Sequence, residues 1–459
     1  VPNGRRTESQ RPILSHTFLQ GILTKYPASR TYWLAFSGGL DSSVLLQLAS
    51  QLSSHNDSFQ FKAIHIHHGL QNEADLWVQH CSETATRLGI PITIRHVSAL
   101  PRSGQSPEEA ARDARYGAFH QLIEPNDTLL TGQHLDDQAE TFLLQMARGS
   151  GLAGLSSMPE RSDFAKGQLV RPLLTVSRET LKQFAEHEEL SWIEDTSNQN
   201  ESYERNFLRN SVLPLLKTRW PSLSASIARS AAHCAEANLI IEEQAEKHLQ
   251  DLAPNNSKTL PIDRLGAFNP SVQKTIIRLW LKQNGYRMPA SKLLDQILQQ
   301  ALGAAIDRNP KIHWPEGEIR RYRNRLYLFR PHSAPKLGDS ITWDGKNDLI
   351  LPEGLGTLGV LRGTQGICAH LWGSGRISIR FQQTGEKIRL PNRSGHHLLR
   401  NLYQSTGIPP WIRACMPLIY IDDLLVAVGN QWISADCLST DQTGVKPTWT
   451  GPVWAILDH

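Results

Sequence analysis

Residues 37–43 read SGGLDSS and lie between an apolar run, TYWLAF (31–36), and a run with helical periodicity, SVLLQLASQL (43–52). This composition suits a turn that holds phosphate. Glycines let the main chain turn sharply and approach a ligand closely. The first turn of the following helix offers unpaired N–H groups and a positive dipole end. Ser37 and Ser42 add hydroxyl donors. The lysine of GxxxxGK[ST] loops, which grips a γ-phosphate, is missing, so any phosphate chemistry here proceeds without it. The competing reading is a plain strand-to-helix turn with a Ser or Asp cap.

A second group, GQHLDDQAET (132–141), carries His134, Asp136, Asp137 and Glu140. Asp137 and Glu140 are spaced i,i+3, and Asp136 and Glu140 i,i+4, so either pair shares a helix face. Carboxylates placed this way can hold and orient a cation or accept a proton, or simply answer the helix dipole. Arg112 and Arg115 stand three residues apart in RDARY, with Tyr116 beside them, and suit a phosphate or a flipped base. Arg205 and Asn206 in YERN suit an anionic ligand or a structural turn. His65, His67 and His68 resemble a metal cluster. Strand alternation separates them, and no further ligand stands at zinc-like spacing, so a metal is rejected there.

The elements that must position these groups alternate. Strand-like runs at 31–36, 61–67, 91–97, 127–132 and 168–174 are separated by helix-like runs, and SPEE (106–109) opens one with Ser106 as cap. Alternation predicts an α/β fold, a doubly wound parallel sheet with ligands at the carboxyl ends of its strands. TRWPSL (218–223) marks a boundary. A mostly helical stretch follows to about residue 330, then a Pro-containing linker and a part rich in short β-like runs. The expected organisation is a nucleotide domain (1–218), a helical middle domain (219–330) and a smaller α+β C-terminal domain (331–459). Residues 376–413 hold Arg376, Arg380, Lys387, Arg389, Arg393, Arg400 and Arg413 against a single acid, Glu386. With Tyr403 and Trp411 among them, this composition suits RNA.

The net charge of +4 permits a nucleic-acid partner without demanding one. None of the five cysteines forms CxxC, which argues against zinc ribbons and dithiol redox chemistry and fits a reducing compartment. No apolar run of about 18 residues is present, and the polar start lacks a signal-peptide core, so a cytoplasmic location is expected.

SGGLDS resembles the PP-loop of the N-type ATP pyrophosphatases, which cleave ATP between its α and β phosphates. HIHHGL (65–70), ARDARYGAF (111–119), GQHLDDQAETFLLQMARGSGLAGLSSM (132–158), RPLL (171–174) and IEDTSNQNESYERNFLR (193–209) together resemble the tRNA(Ile)-lysidine synthetases, in order through roughly residues 30–220. GEKIRLPNRSGHHLLRNLYQSTGIPPWIR (385–413) is similar to their C-terminal domain. Asn200 departs from the acidic residue of many relatives, so no charge role is expected there.

The resemblance implies that ATP adenylylates the C2 oxygen of the wobble cytidine in a tRNA(Ile) with a CAU anticodon. Free L-lysine then displaces AMP to give lysidine. It implies a nucleotide site of Ser37, Gly38, Gly39, Leu40, Asp41 and Ser42, with Asp41 near Mg²⁺. It also implies catalytic roles for Asp41, Asp137, Glu140 and Arg205, the carboxylate pair holding the ammonium of lysine, and tRNA contacts from Arg112, Arg115, His134, Arg389 and Arg393. Thiolation of tRNA by another PP-loop enzyme is the main alternative, and the lack of CxxC argues against it. Amide synthesis by a PP-loop ligase and a non-catalytic nucleotide module leave the basic C-terminus or HLDDQAET idle.

Overall fold

The computed structural model describes residues 14–67, 74–100, 107–286, 291–303, 310–330, 340–381, 385–439 and 443–451; His68 and Ser106 lie outside them. Two compact units are present, Val1–Ile240 and Ile241–His459.

The first unit carries strands β1 (Thr31–Ala35), β2 (Phe61–His67), β3 (Ile92–His96), β4 (Asp127–Leu130), β5 (Arg161–Phe164) and β6 (Gly167–Val170). Its helices are α1 (His16–Leu23), α2 (Leu40–His55), α3 (Ala74–Arg87), α4 (Pro107–Leu122), α5 (Leu135–Ala147), α6 (Leu152–Leu155), α7 (Arg178–His187), α8 (Glu204–Phe207) and α9 (Leu213–Arg219), and α10 (Leu223–Leu252) begins in it and ends in the second unit. The sheet order is β3-β2-β1-β4-β6-β5. Pairing is parallel throughout except at β5, an antiparallel edge. The five strands read from the apolar runs are all there. β5 is the addition: Arg-Ser-Asp-Phe has no alternating apolar signature, and its hairpin to β6 turns through Ala165 at φ 52°, without the usual Asn-Gly or Asp-Gly.

Both faces of the sheet are covered, as alternation along β1 requires. Tyr32 and Leu34 face a core shared with α1, α2, α3 and α7. Trp33 faces the opposite core, with Ile64, Leu129, Leu169 and Phe119 of α4. Order reverses at β1: β2 and β3 lie to one side, β4 and β6 to the other. The crevice at such a switch point, beyond the carboxyl ends of the strands, is where α/β sheets bind ligands. The turns after β1 and β4 both open there, and they are SGGLDS and GQHLDD.

Two glycines make that juxtaposition possible. Gly38 has φ +84°, and a Cβ there would lie 2.9 Å from both Cys81 Sγ and Ile193 Cδ1. Gly132 brings the β4–α5 turn against the start of α2; a Cβ would sit 3.1 Å from the carbonyl carbon and oxygen of Asp41.

The second unit has two cores. In one, the helices Ile262–Gly266, Pro270–Gln283 and Ser291–Gln296 pack on a four-stranded antiparallel sheet of Thr259–Pro261, Arg325–Phe329, Gly317–Tyr322 and Lys311–Trp314. The helices expected after residue 219 are present, and this sheet is added to them. The other core joins Phe329 to the β-rich part, where a five-stranded sheet carries Ile377–Arg380 and Leu418–Ile421 at its centre. Trp411 packs edge-on against Tyr322, Tyr327 and Phe329. Tyr403 is buried. Of these two aromatics, read above as stacking surfaces for RNA, Tyr403 is therefore a core residue and Trp411, partly buried, packs against the core; an amphipathic ring beside arginines looks the same in sequence whichever way it faces.

Gly38→Ala should place a side chain in left-handed backbone and against Cys81 and Ile193. The expected outcome is a loss of about 1–3 kcal/mol in denaturant unfolding, together with weakened ATP binding in the folded fraction, read by equilibrium titration.

Candidate active site

The SGGLDS turn is pre-shaped by its own serines. Ser42 donates to the Gly39 carbonyl at 2.9 Å, and its oxygen lies 3.1 Å from Ser37 Oγ and accepts the Ser37 N–H at 3.3 Å. Gly39 caps α2 with extended backbone and makes no side-chain cap, so the helix's leading N–H groups receive no partner from it. The segment after α7 passes over the turn, where Ile193 N–H donates to the Gly38 carbonyl at 2.9 Å. Asp41 occupies the first turn of α2. Its Oδ1 is buried and bonded to nothing among the described residues, while Oδ2 faces His134 Nε2 at 3.6 Å.

His134 is fully buried and acts as the N-cap of α5. Its Nδ1 accepts the N–H groups of Asp136 (3.2 Å) and Asp137 (3.4 Å), and Asp137 Oδ2 accepts the His134 N–H at 3.0 Å. A ring whose Nδ1 is an acceptor carries its proton on Nε2. That edge lies 3.6 Å from both Asp41 and Asp137. Burial pushes the His134 pKa down, but the Asp41 hydrogen bond and the charges of Asp137, Asp41 and Asp136 overcome it and raise the value. Expected as a substrate contact, His134 instead joins the PP-loop aspartate to the α5 carboxylates and holds the helix start.

The i,i+3 pair does share a face, and two arginines meet it. Arg205 Nε donates to Glu140 at 2.7 Å and its Nη2 to Asp137 at 3.3 Å. Arg209 reaches both Glu140 oxygens, at 2.6 and 3.0 Å, and Asp137 at 2.8 Å. Glu140 is 1% exposed, whereas the side chains of Arg205 and Arg209 are 26% and 27% exposed. Burial works against both guanidinium charges, yet the two carboxylates raise both pKa values. Arg209 was not singled out in the sequence. Its signal was there: it follows Arg205 by four residues and so shares its face, through a π-helical turn at Leu208–Val212. Asn206 is a turn residue, bonding the carbonyls of Ser197 and Asn200.

Asp136 points elsewhere. It accepts the Arg178 N–H and the Ser224 hydroxyl, each at 2.8 Å, and pairs with Lys217. One carboxylate thereby ties α5 to α7, α9 and α10. Burial would raise its pKa, but these three donors bring it down to about 2. On the same side lies a cavity of about 690 Å³, lined by Glu140, Arg209, Lys217, Arg178 and Ser224 among others.

The remaining candidates spread out. The Arg112 guanidinium lies over the Tyr116 ring at 5.3 Å, and Arg115 is exposed on the same helix. His65 is a core ring whose Nδ1 bonds the Phe36 carbonyl at 2.9 Å, with its pKa lowered by burial; His67 pairs with Asp75. Among the described residues, no group of three or more His, Cys, Asp or Glu side chains forms a metal site. Cys81 and Cys437 are pushed up to about 12 and Cys415 to about 11, chiefly by burial, so none is a ready thiolate. In the second unit Lys387 and Arg389 face out from one strand of a hairpin, Lys387–Arg389 against His396–Leu398, and Arg393 lies in its exposed turn. Arg389 also pairs with Asp436 at 3.0 Å. Arg413 is engaged internally with Tyr322.

A phosphate turn without lysine, facing a carboxylate-bearing helix at the switch point of a parallel sheet, defines a PP-loop protein, and a PP-loop domain family matches residues 14–216. A TilS substrate binding domain matches residues 260–327 and a TilS substrate C-terminal domain residues 377–449. The chain is 41% identical to the tRNA(Ile)-lysidine synthase of Methylococcus capsulatus over 93% of its own length and 97% of that protein's. It is 40% identical to that of Coxiella burnetii (89% and 90%) and 40% identical to that of Salmonella typhimurium (93% and 98%). The chain belongs to the tRNA(Ile)-lysidine synthase family.

Asp136→Asn tests the hub. A carboxylate whose folded pKa is depressed stabilises the fold above its unfolded value of about 4 and loses that effect as pH falls through about 2. The variant should be about 2–3 kcal/mol less stable at pH 7, with roughly half of the difference gone by pH 3. Urea unfolding at a series of pH values reads this directly.

Proposed function

We propose that the chain activates the wobble cytidine of tRNA(Ile) bearing a CAU anticodon and joins it to free lysine. The observation that carries this reading is the His134 bridge, which brings the start of the PP-loop helix and the carboxylates of α5 into one site. In the first step the cytidine O2 attacks the α-phosphorus of ATP. A P–O bond forms, the α–β bridge breaks, and pyrophosphate leaves into the N–H groups of α2, Ser37 and Ser42. In the second step the lysine ε-amine bonds C2, the C2–O bond breaks, and AMP departs. An ammonium with a reference pKa of about 10.4 must first give up a proton.

The residues fit a hard divalent cation such as Mg²⁺. Asp41 offers a buried oxygen unpartnered among the described residues, and those residues form no group of three or more acidic or other metal-ligating side chains able to hold an ion, so Asp41 would hold it together with the nucleotide's phosphates. Held by Asp41, such an ion would supply charge neutralisation for the departing pyrophosphate. The Nε2 edge of His134 faces the same carboxylate at 3.6 Å.

Asp137 and Glu140 serve the second step. Together with Arg205 and Arg209 they form a cluster of zero formal charge. A zwitterionic amino acid can enter such a cluster by exchange. The partly exposed arginines take an anionic group, the lysine carboxylate or the adenylate phosphate, and the carboxylates they release hold the ammonium and accept its proton. The cavity beside Glu140 and Arg209 gives that exchange room. The basic hairpin of the second unit binds the tRNA backbone. A cytoplasmic location belongs to the same reading.

Asp41→Ala should abolish AMP formation while leaving tRNA affinity within about twofold, the range of a surface substitution. Exchange of label between pyrophosphate and ATP at the wild-type rate would refute the role given to Asp41. Arg389→Glu combined with Arg393→Glu should weaken tRNA binding and flatten its log–log salt dependence by roughly 0.7–0.9 per lost phosphate contact. ATP affinity should stay unchanged, because every residue of the nucleotide turn belongs to the first unit. Filter-binding titrations from low to high salt check both.

A further inference from the structure

TRWPSL (218–223) reads in the sequence as a boundary, and the reaction above gives it no role. The turn joins α9 to α10, and one carboxylate oxygen holds it at both ends. Asp136 Oδ1 takes the ammonium of Lys217, in the last turn of α9, and the hydroxyl of Ser224, at the start of α10, the latter at 2.8 Å. Between these anchors the main chain is bonded too. Trp220 N–H donates to the Leu216 carbonyl at 2.9 Å, and Leu223 N–H donates to the Trp220 carbonyl at 3.0 Å. Leu223 packs against a small core of Ala139, Leu213 and Ile227. This well-held turn nevertheless leaves its largest side chain outside. Trp220 is 56% exposed, whereas tryptophan is highly buried on average.

The indole borders a cavity of about 510 Å³, lined also by Arg219, Pro221, Ser222, Leu223 and Ser226. Pro221 and Ser222 line the cavity of Glu140 and Arg209 as well, so the two spaces adjoin across that dipeptide. Charge on this stretch has one sign: from residue 205 to residue 235 the chain has five Arg or Lys and no Asp or Glu. Arg205, Arg209 and Lys217 are matched by the carboxylates of α5. Arg219 and Arg229 are exposed and make no ion pair among the described residues. Arg229 reaches the cavity wall, where its Nη2 donates to Ser226 Oγ at 3.1 Å. An exposed indole beside two unneutralised guanidiniums and two hydroxyls matches a nucleotide. The base offers a face to the ring, and the phosphate takes the positive charge. An apolar partner would desolvate both guanidiniums without pairing them.

We propose that Trp220 is a stacking platform for an unpaired base of the RNA substrate, one that flanks the reacting cytidine, with Arg219 and Arg229 on the adjoining phosphates. The inference rests on the reading of the chain as a tRNA-modifying enzyme. The shared wall supplies the adjacency: a cytidine held over Glu140 and Arg209 has its neighbour across Pro221 and Ser222. Every base has a π-face, so the platform fixes where the strand lies rather than which sequence it carries. Asp136, by holding both ends of the turn, sets the place of the indole.

The test is tRNA binding across a salt series, with urea unfolding measured alongside. Trp220→Ala should weaken tRNA binding about tenfold, the size of one base–aromatic stack, and leave the salt slope as it is. Its unfolding midpoint should hold, because the side chain is largely exposed. Trp220→Leu, apolar but without an aromatic face, repeats the comparison if alanine disturbs the turn. Arg219→Gln with Arg229→Gln should instead flatten the log–log slope by about 0.7 for each phosphate released. Two tRNAs carrying the fluorescent base 2-aminopurine, one on each side of the wobble cytidine, read the geometry. At saturation one of them should be dimmer on the wild type than on Trp220→Ala. Wild-type affinity in the alanine and leucine variants, or equal fluorescence on wild type and variant for both labelled tRNAs, overturns the platform. The underlying reading is checked apart from it: wild-type AMP release must require both tRNA and lysine, whereas these comparisons are read from binding alone.

Discussion

Two carboxylates on the first turns of α5 cannot stay buried and charged unless cations reach them. Glu140 is almost inaccessible, and both of its oxygens are taken by guanidiniums from residues 65 and 69 positions later in the chain. That requirement organises the rim of the sheet. The chain must leave α7, run over the PP-loop where Ile193 bonds the Gly38 carbonyl, and wind through α8 and a π-helical turn to deliver Arg205 and Arg209. The π turn, a wider coil at which functional sites recur, sets the spacing of the two forks.

The same economy governs the neighbouring charges. Asp136, one residue from Asp137, faces away and is satisfied by Lys217, Ser224 and the start of α7. Adjacent aspartates at a helix start point about 100° apart, so one builds the scaffold and the other meets the site. His134 lets both stand there: a neutral ring caps the two N–H groups with one nitrogen and presents its other edge to Asp41. A second proton, on Nδ1, would turn a donor toward two donors and break the cap. Three aspartates raise the ring's pKa, whereas the cap needs a bare Nδ1, so the two demands on this ring oppose each other.

Much of this was legible in the sequence, for reasons that can be named. The parallel strands buried on both faces read as apolar runs, and alternation with helices dictated a doubly wound sheet, so SGGLDS and HLDDQAE had to meet at its carboxyl rim. Asp137 and Glu140 showed their common face by spacing alone. What stayed hidden was pairing over long separations. Nothing in YERNFLRN tells a solvated arginine from one that crosses 69 positions to a buried glutamate, and His134 as a cap is invisible because histidine is rarely one. Hairpin strand β5 and the sheet around Gly317–Tyr322 lack clean alternation. Tyr403 and Trp411 resembled a stacking surface because composition does not report which side of a sheet is wet.

A neutral cluster would be a good resting state for the proposed reaction, with its cationic co-substrate and anionic intermediate. Four bare charges would attract ions of either sign and would cost several kcal/mol each in desolvation. Paired, they would stay silent in the proposed reaction until a ligand offers both signs together. Lysine alone presents an ammonium and a carboxylate, but the adenylate presents a phosphate next to the very carbon to be attacked. Arginines that prefer planar oxyanions would turn to that phosphate once it forms, and only then would Asp137 and Glu140 be released to the amine. Exchange of partners would thereby order the two steps: activation first, lysine afterwards. The ordering would come from charge balance around Glu140 rather than from a moving domain.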